Sequence, residues 1–246
     1  MFLKSPFCMP VSAIGFCRQN PFFFLLFSKA VRAIIKAENR RILFQWPIKT
    51  KKQGAGVFMG KKSWERLCEE REFNAFYQAL AQQSGFEQIG RFLQHGSTTR
   101  LMHSVAVAYY SYRLAKITRL SFHWEEMVRG ALLHDYFLYD AQDGDPAHKW
   151  HWTRHPGIAA ENAKREMPLT AIEEDTIRCH MFPLTVKPPK YREGVVVSLV
   201  DKACSVYEFF SRRTPYAKLQ EDVVGASSAA GPQIIVLLPE MAGKRL

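Results

Sequence analysis

The sequence predicts an all-α fold, a compact bundle of about six to seven helices. Two kinds of observation lead to this expectation. Apolar residues recur three and four positions apart, as they do on the buried face of a helix. Residues that start or stop helices lie at the borders of the periodic segments. The segments that show one or both signals are 63–84, 100–118, 124–136, 157–167, 170–180 and 193–212.

The first two segments are predicted to be helices from the spacing of their apolar residues. Segment 63–84 begins at Ser63, which can cap a helix, ends at Ser84-Gly85, and is expected to be scaffold. In segment 100–118, His103 falls on a face with apolar residues at steps of four, three and four. A single histidine on an apolar stripe is more often a core residue than a ligand. Its role therefore depends on partners further along the chain.

The third segment ends in His134-Asp135, directly after two leucines. Adjacent residues on a helix point about 100° apart, so a plain surface helix has no use for this pair. A divalent metal does, because imidazole nitrogen and carboxylate oxygen together suit Zn, Mn, Fe or Co. Gly130 in the same segment would allow another helix to approach closely, and we expect that helix to be the one with His103.

The next two segments each bring a histidine to a helix end. Pro156 suits the first turn of a helix, so His155 is expected at the N-cap of 157–167. Thr170 and Glu173 fit a capping box that opens the next helix. This helix should deliver His180 near its C-terminal end.

The last segment contains the apolar run 195–200, which is apolar on all sides and should make this helix central. Asp201 follows the run, and a buried carboxylate needs a partner. A metal ion is the favoured partner, and Lys202 or another basic side chain is the alternative.

The order of these residues resembles the HD-domain superfamily of metal-dependent phosphohydrolases. The likeness covers about residues 95–211 and includes His103, His134, Asp135, His155, His180 and Asp201. It implies that His103, His134, Asp135 and Asp201 hold a first metal, and that Asp135 bridges to a second held by His155 and His180. The last two histidines are similar to those of the two-metal branches, which include the HD-GYP proteins.

Two departures from the HD-GYP pattern limit what the resemblance implies. His180-Met181 stands where those proteins have paired histidines, and Pro183-Leu184-Thr185 stands where they have Gly-Tyr-Pro. The cyclic-di-GMP activity of that branch is therefore not carried over.

The resemblance implies an enzyme that hydrolyses a small-molecule phosphate ester, such as a nucleotide. One or two ions (Mn, Fe, Co or Zn, with Mg also suitable) would lower the pKa of water from 15.7 toward ~7. His134 and Asp135 form the expected catalytic centre. The alternative is a non-catalytic HD-like module that binds a nucleotide or serves signalling, from which metal ligands are expected to be lost.

Polar loops between the helices supply candidates for substrate contact, because binding residues concentrate on loops and cations can pair with phosphate. An ordinary solvated side chain is the alternative for each. The candidates are His95, His148, Lys149, His151, Arg154, Lys187 and Lys190.

Charge divides the chain into unequal parts. The net charge is +11, but residues 1–58 carry +9 and the other 188 residues only +2. This distribution argues against nucleic acid as the partner of the body. We expect a basic, apolar extension (1–58), an HD-like domain (59–222) and a tail without a clear partner (223–246). The extension either contacts a membrane or targets the protein, or it is not part of the native fold.

The five cysteines are scattered and form no CxxC pair, so neither a disulfide framework nor a zinc knuckle is expected. This usage favours a reducing, cytoplasmic compartment.

A truncated chain that begins at Met59 should fold, bind metal and hydrolyse the same substrates as the full chain. The charge discontinuity predicts that the domain begins there. Circular dichroism and metal analysis of both chains test this expectation. An insoluble or metal-free truncated chain would mean that residues 1–58 belong to the fold.

Overall fold

The computed structural model describes residues 61–118, 121–141, 143, 145, 150–211 and 215–225. This part of the chain is mostly helical, which confirms the all-α prediction. The longer helices are α1 (Lys61–Gln83), α2 (Arg100–Thr118), α3 (Trp124–Leu133), α4 (His151–Glu166), α5 (Ala171–Cys179) and α6 (Arg192–Phe210). The smaller elements are a 3₁₀ turn (Phe86–Arg91), β1 (Leu93–His95), β2 (Thr98–Thr99), α7 (Ala217–Leu219) and a π-helical turn (Gln220–Val224).

The two ends of the chain were predicted to differ from the body. The extension 1–58 and the tail from residue 226 onward lie outside the described residues. Val223 is buried in the core and its carbonyl accepts a hydrogen bond from Gln78, so the described fold continues past residue 222. Among the described helices, none has both the length and the apolar character that a membrane span requires.

Helix α2 is the most enclosed element of the bundle. It packs against α3 and α6, and every residue from Arg100 to Tyr112 is buried. The sequence predicted α6 as the central helix, but Val195 of α6 is 37% exposed. Ala106 and Ala108 of α2 are fully buried. Small side chains such as these allow neighbouring helices to lie close to α2, and counting the apolar residues of a segment does not detect this.

The starts of two helices were predicted from local signals, and one prediction was wrong. Thr170 and Glu173 form the expected capping box at the start of α5. Helix α4, however, begins at His151, which places His155 in its second turn and Pro156 inside the helix. The fixed φ of proline is compatible with a helical backbone, so a turn of helix can precede Pro156. The helix lacks one backbone hydrogen bond there, because proline has no N–H to donate.

Helices α3 and α5 approach each other closely at Gly130. A Cβ atom there would lie 3.0 Å from both Cβ and Cγ2 of Thr176. The close approach was predicted, but the neighbour is α5 rather than α2. Because α3 is followed directly by His134 and α5 by His180, this contact brings two predicted ligands together.

The variant Gly130→Ala should lower the free energy of unfolding by about 1 kcal/mol. The added methyl group overpacks against buried Thr176, and this cost exceeds the gain in helix propensity. Gly157→Ala in α4 is the matched control, because a Cβ there meets only Arg178 Nη1, at 3.8 Å. That variant should gain up to about 1 kcal/mol. Urea unfolding measures both, and equal stabilisation would contradict the close contact between α3 and α5.

Candidate metal centre

Six side chains that the sequence singles out lie together in the middle of the bundle. None of them is more than 6% exposed. Their donor atoms form overlapping groups of three, and within each group all donor atoms lie within 4.8 Å of one another. Such buried groups could hold a metal ion. The residues are His103 on α2, His134 and Asp135 after α3, His155 on α4, His180 after α5 and Asp201 on α6.

Three of the four histidines turn the same ring atom toward the centre. In each, Nδ1 lies within hydrogen-bond distance of a backbone carbonyl three or four residues earlier. A carbonyl only accepts, so Nδ1 carries the hydrogen, and Nε2 of the neutral ring carries a lone pair. Metal-binding histidines are oriented in this way. The pairs are His134 with Ala131 (2.7 Å), His155 with His151 (3.0 Å) and His180 with Ile177 (2.8 Å).

The inward-facing atoms are all acceptors. Nε2 of His155 and Nε2 of His180 are 2.9 Å apart, and Asp135 Oδ1 is 3.2 Å from His155 Nε2. Within the described residues, His134 Nε2 and Asp135 Oδ1 have no hydrogen-bond partner. Burial, together with the electrostatic influence of the neighbouring His134 and His155 rings, lowers the pKa of His180 well below its ordinary value, which favours the neutral ring. Lone pairs that converge in this manner fit a divalent cation.

The other half of the centre is an ion network around His103. Its Nε2 is 3.1 Å from Asp201 Oδ1, and its Nδ1 is 2.9 Å from Glu208 Oε1. Lys202 Nζ donates to Asp201 Oδ2 at 2.7 Å, so the predicted alternative partner is also present. Burial lowers the pKa of His103, but the charge of Glu208 and the hydrogen bonds outweigh burial and raise it well above its usual value.

Glu208 was not predicted as part of the site. The spacing could have pointed to it. Glu208 follows Asp201 by seven residues, which is two turns along the same face of α6. Glutamates at that spacing are common on helices, so the signal becomes specific only once Asp201 is known to be buried.

The second carboxylate oxygen of Asp135 is held by a partly buried relay of side chains. Gln94 Nε2 donates to Asp135 Oδ2 at 2.7 Å, and Arg100 Nε donates to Gln94 Oε1 at 3.1 Å. The Arg100 guanidinium lies 3.5 Å from the centroid of the Phe137 ring. Burial lowers the pKa of Arg100 to about 10, so the group stays charged at neutral pH. This relay was not predicted, because it depends on Gln94 and the hairpin that carries Gln94 was not predicted.

Two of the predicted substrate-binding residues adjoin the centre. His95 on β1 groups with His103 and Glu208, with donor atoms within 4.8 Å of one another. The ring of His151 stacks on that of His155, with centroids 4.6 Å apart. Both side chains are half-buried, so they lie between the enclosed cluster and solvent.

Three of the remaining candidates are described, and the structure does not bring them to the centre. Arg154 is exposed and lines a groove on the outer face of α4. Lys187 and Lys190 are exposed, and their loop is pinned by a hydrogen bond from the Lys190 N–H to Asp175. Proline-rich composition indicated a stiff loop but not its direction. His148 and Lys149 lie outside the described residues.

Comparison of the chain with protein-family models, with curated proteins and with solved structures found no match. The resemblance to the HD-domain superfamily therefore rests on the identity and order of the six residues in this sequence.

Replacing His155 or His180 with alanine should remove a weakly held second ion and leave a tightly held first ion. These histidines lie beside Asp135 Oδ1, and the neighbouring Met181 thioether is a poor ligand for hard or borderline cations. Metal counting before and after addition of Mn or Co tests this, with exposed His123→Ala as control. Loss of the tight ion in either variant would place these histidines in the primary site.

Proposed function

We propose that the protein is a metal-dependent phosphohydrolase that acts on a small-molecule phosphate ester, such as a nucleotide. The observation that carries the proposal is the convergence of three Nε2 lone pairs and Asp135 Oδ1, with no hydrogen-bond donor among the described residues for Oδ1 or for His134 Nε2. Nitrogen and oxygen donors in this combination suit Zn, Mn, Fe or Co. The choice of phosphate esters follows from the resemblance to HD-domain phosphohydrolases.

Asp135 is suited to serve two ions. Its Oδ2 lies 3.4 Å from His134 Nε2, while its Oδ1 faces His155 and His180. His103, His134, Asp135 and Asp201 would hold a first ion, and Asp135, His155 and His180 would hold a second. A bound cation supplies Lewis acidity toward a phosphoryl oxygen and toward water, which provides a nucleophile at neutral pH.

The surrounding side chains orient the donor atoms. Lys202 donates to Asp201 and to the carbonyl of His180, and so ties the end of α5 to α6. Burial of the cluster excludes bulk water and strengthens the electrostatic interactions inside it. Half-buried His95 and His151 are the nearest side chains that could contact substrate or donate a proton to a leaving group.

A covalent mechanism through cysteine has little support within the described residues. Cys179 and Cys204 are both buried, and burial raises the pKa of Cys179. A buried thiol with a raised pKa is a poor nucleophile. The proposed reaction therefore uses water as the nucleophile.

Asp135→Ala should reduce hydrolysis at least about 1,000-fold, because metal catalysis contributes several kcal/mol. A metal-supplemented screen against nucleotides, cyclic nucleotides and simple phosphate esters first identifies a substrate for the wild-type chain. Helical content should stay near wild type while bound metal falls. Asp175→Ala removes another buried carboxylate, one that pins the loop at residue 190, and should keep its metal.

Full activity of Asp135→Ala at saturating metal would overturn the proposal. A wild-type chain that binds metal but hydrolyses no ester in the screen would favour the non-catalytic HD-like module instead.

A further inference from the structure

We propose that Glu208 is a positioning residue that makes the first ion site the tighter of the two, by holding His103 from behind. This inference rests on the metal centre of the proposed function. It concerns how firmly each ion is held, so it can be tested without a substrate.

Glu208 makes an enclosed contact with a single ring atom. Its Oε1 and Oε2 lie 2.9 and 3.0 Å from His103 Nδ1. Glu208 is 3% exposed and His103 is fully buried, so solvent does not compete for this contact. A carboxylate accepts, so Nδ1 carries the hydrogen. The Nε2 atom of His103 is therefore the one turned toward Asp201 and the centre, at 3.1 Å from its Oδ1.

Within the part of the chain that the structure describes, the other three histidines of the centre have no carboxylate at Nδ1. Their Nδ1–H groups donate to the neutral carbonyls of Ala131, His151 and Ile177. A full negative charge behind an imidazole makes the ring a stronger electron donor than a carbonyl dipole does, and low local polarity enlarges the difference. The charged support thus acts on the His103 and Asp201 half of the centre alone.

A competing role for Glu208 is direct metal ligation. Its donor atoms group with those of His95 and His103 within 4.8 Å. Both carboxylate oxygens, however, contact the same nitrogen, and that nitrogen carries a hydrogen. This arrangement places Glu208 at the ring nitrogen that faces away from Asp201 and the centre, which favours positioning over ligation.

Titration of the metal-free full-length chain with Co(II), followed by visible absorption, tests the inference. Glu208→Gln keeps an acceptor oxygen but removes the charge, and it should weaken the tight site about tenfold. Glu208→Leu removes charge and acceptor and should weaken that site up to about 100-fold. The weaker site should be unchanged in both variants, and the number of ions bound at saturation should stay the same.

Glu193→Gln is the matched control. Glu193 lies on the same helix, is 2% exposed and accepts a hydrogen bond from the His123 N–H at 3.0 Å. This variant should lose stability and keep its Co(II) affinity, which separates a general cost of removing a buried carboxylate from an effect on the ion. If Glu208→Leu does not fold, the Co(II) affinity of Glu208→Gln alone is compared with that of the control and the wild type.

Three results would overturn the inference. Unchanged affinity of the tight site in a folded Glu208→Gln and Glu208→Leu would show that the contact does not matter for the ion. A drop in the number of bound ions by one would identify Glu208 as a ligand. A wild-type chain that binds no Co(II) would overturn the proposed metal centre and this inference with it.

Discussion

The structure depends on holding several hydrogen-bond acceptors against one another in a buried space. Nε2 of His155 and Nε2 of His180 are 2.9 Å apart, and each ring has already given its Nδ1–H to a carbonyl. Such a contact is unfavourable for neutral rings by themselves. The packing of the helices has to maintain it, and the close approach of α3 and α5 at Gly130 is part of that packing. A cation bound among these atoms would replace the repulsion between the lone pairs with coordination.

The two buried aspartates impose a further requirement: each carboxylate needs a partner, because an unpaired carboxylate inside a protein is costly. The two aspartates meet it through separate networks. Asp135 accepts from Gln94, which is oriented by Arg100. Asp201 contacts His103 and Lys202. The donors that contact the two carboxylates directly differ, Gln94 of the hairpin in one case and Lys202 of α6 in the other. Helix α2 contributes to both networks, through Arg100 and through His103.

Much of the fold and most of the central residues could be predicted from the sequence, because the signals are local. Helical periodicity and the capping box at Thr170 depend on residues within one or two turns. The adjacency of His134 and Asp135 is visible without any fold. The relay from Arg100 through Gln94 could not be predicted, since it joins residues 41 positions apart through a short irregular hairpin. The start of α4 was predicted wrongly for a related reason. Proline favours the first turn of a helix, but α4 begins at His151, more than one turn before Pro156.

The six central residues come from five helices, or the residues that directly follow them, separated by long stretches of chain. Cations held by these residues would act as cross-links that only the native state can form, so metal binding and folding would share one equilibrium. Each thousandfold excess of free ion over its dissociation constant then adds about 4 kcal/mol to the stability of the native state. That amount is comparable with the whole margin by which many small domains stay folded. The supply of metal in the surroundings would thus regulate how much folded protein exists, apart from any effect on catalysis.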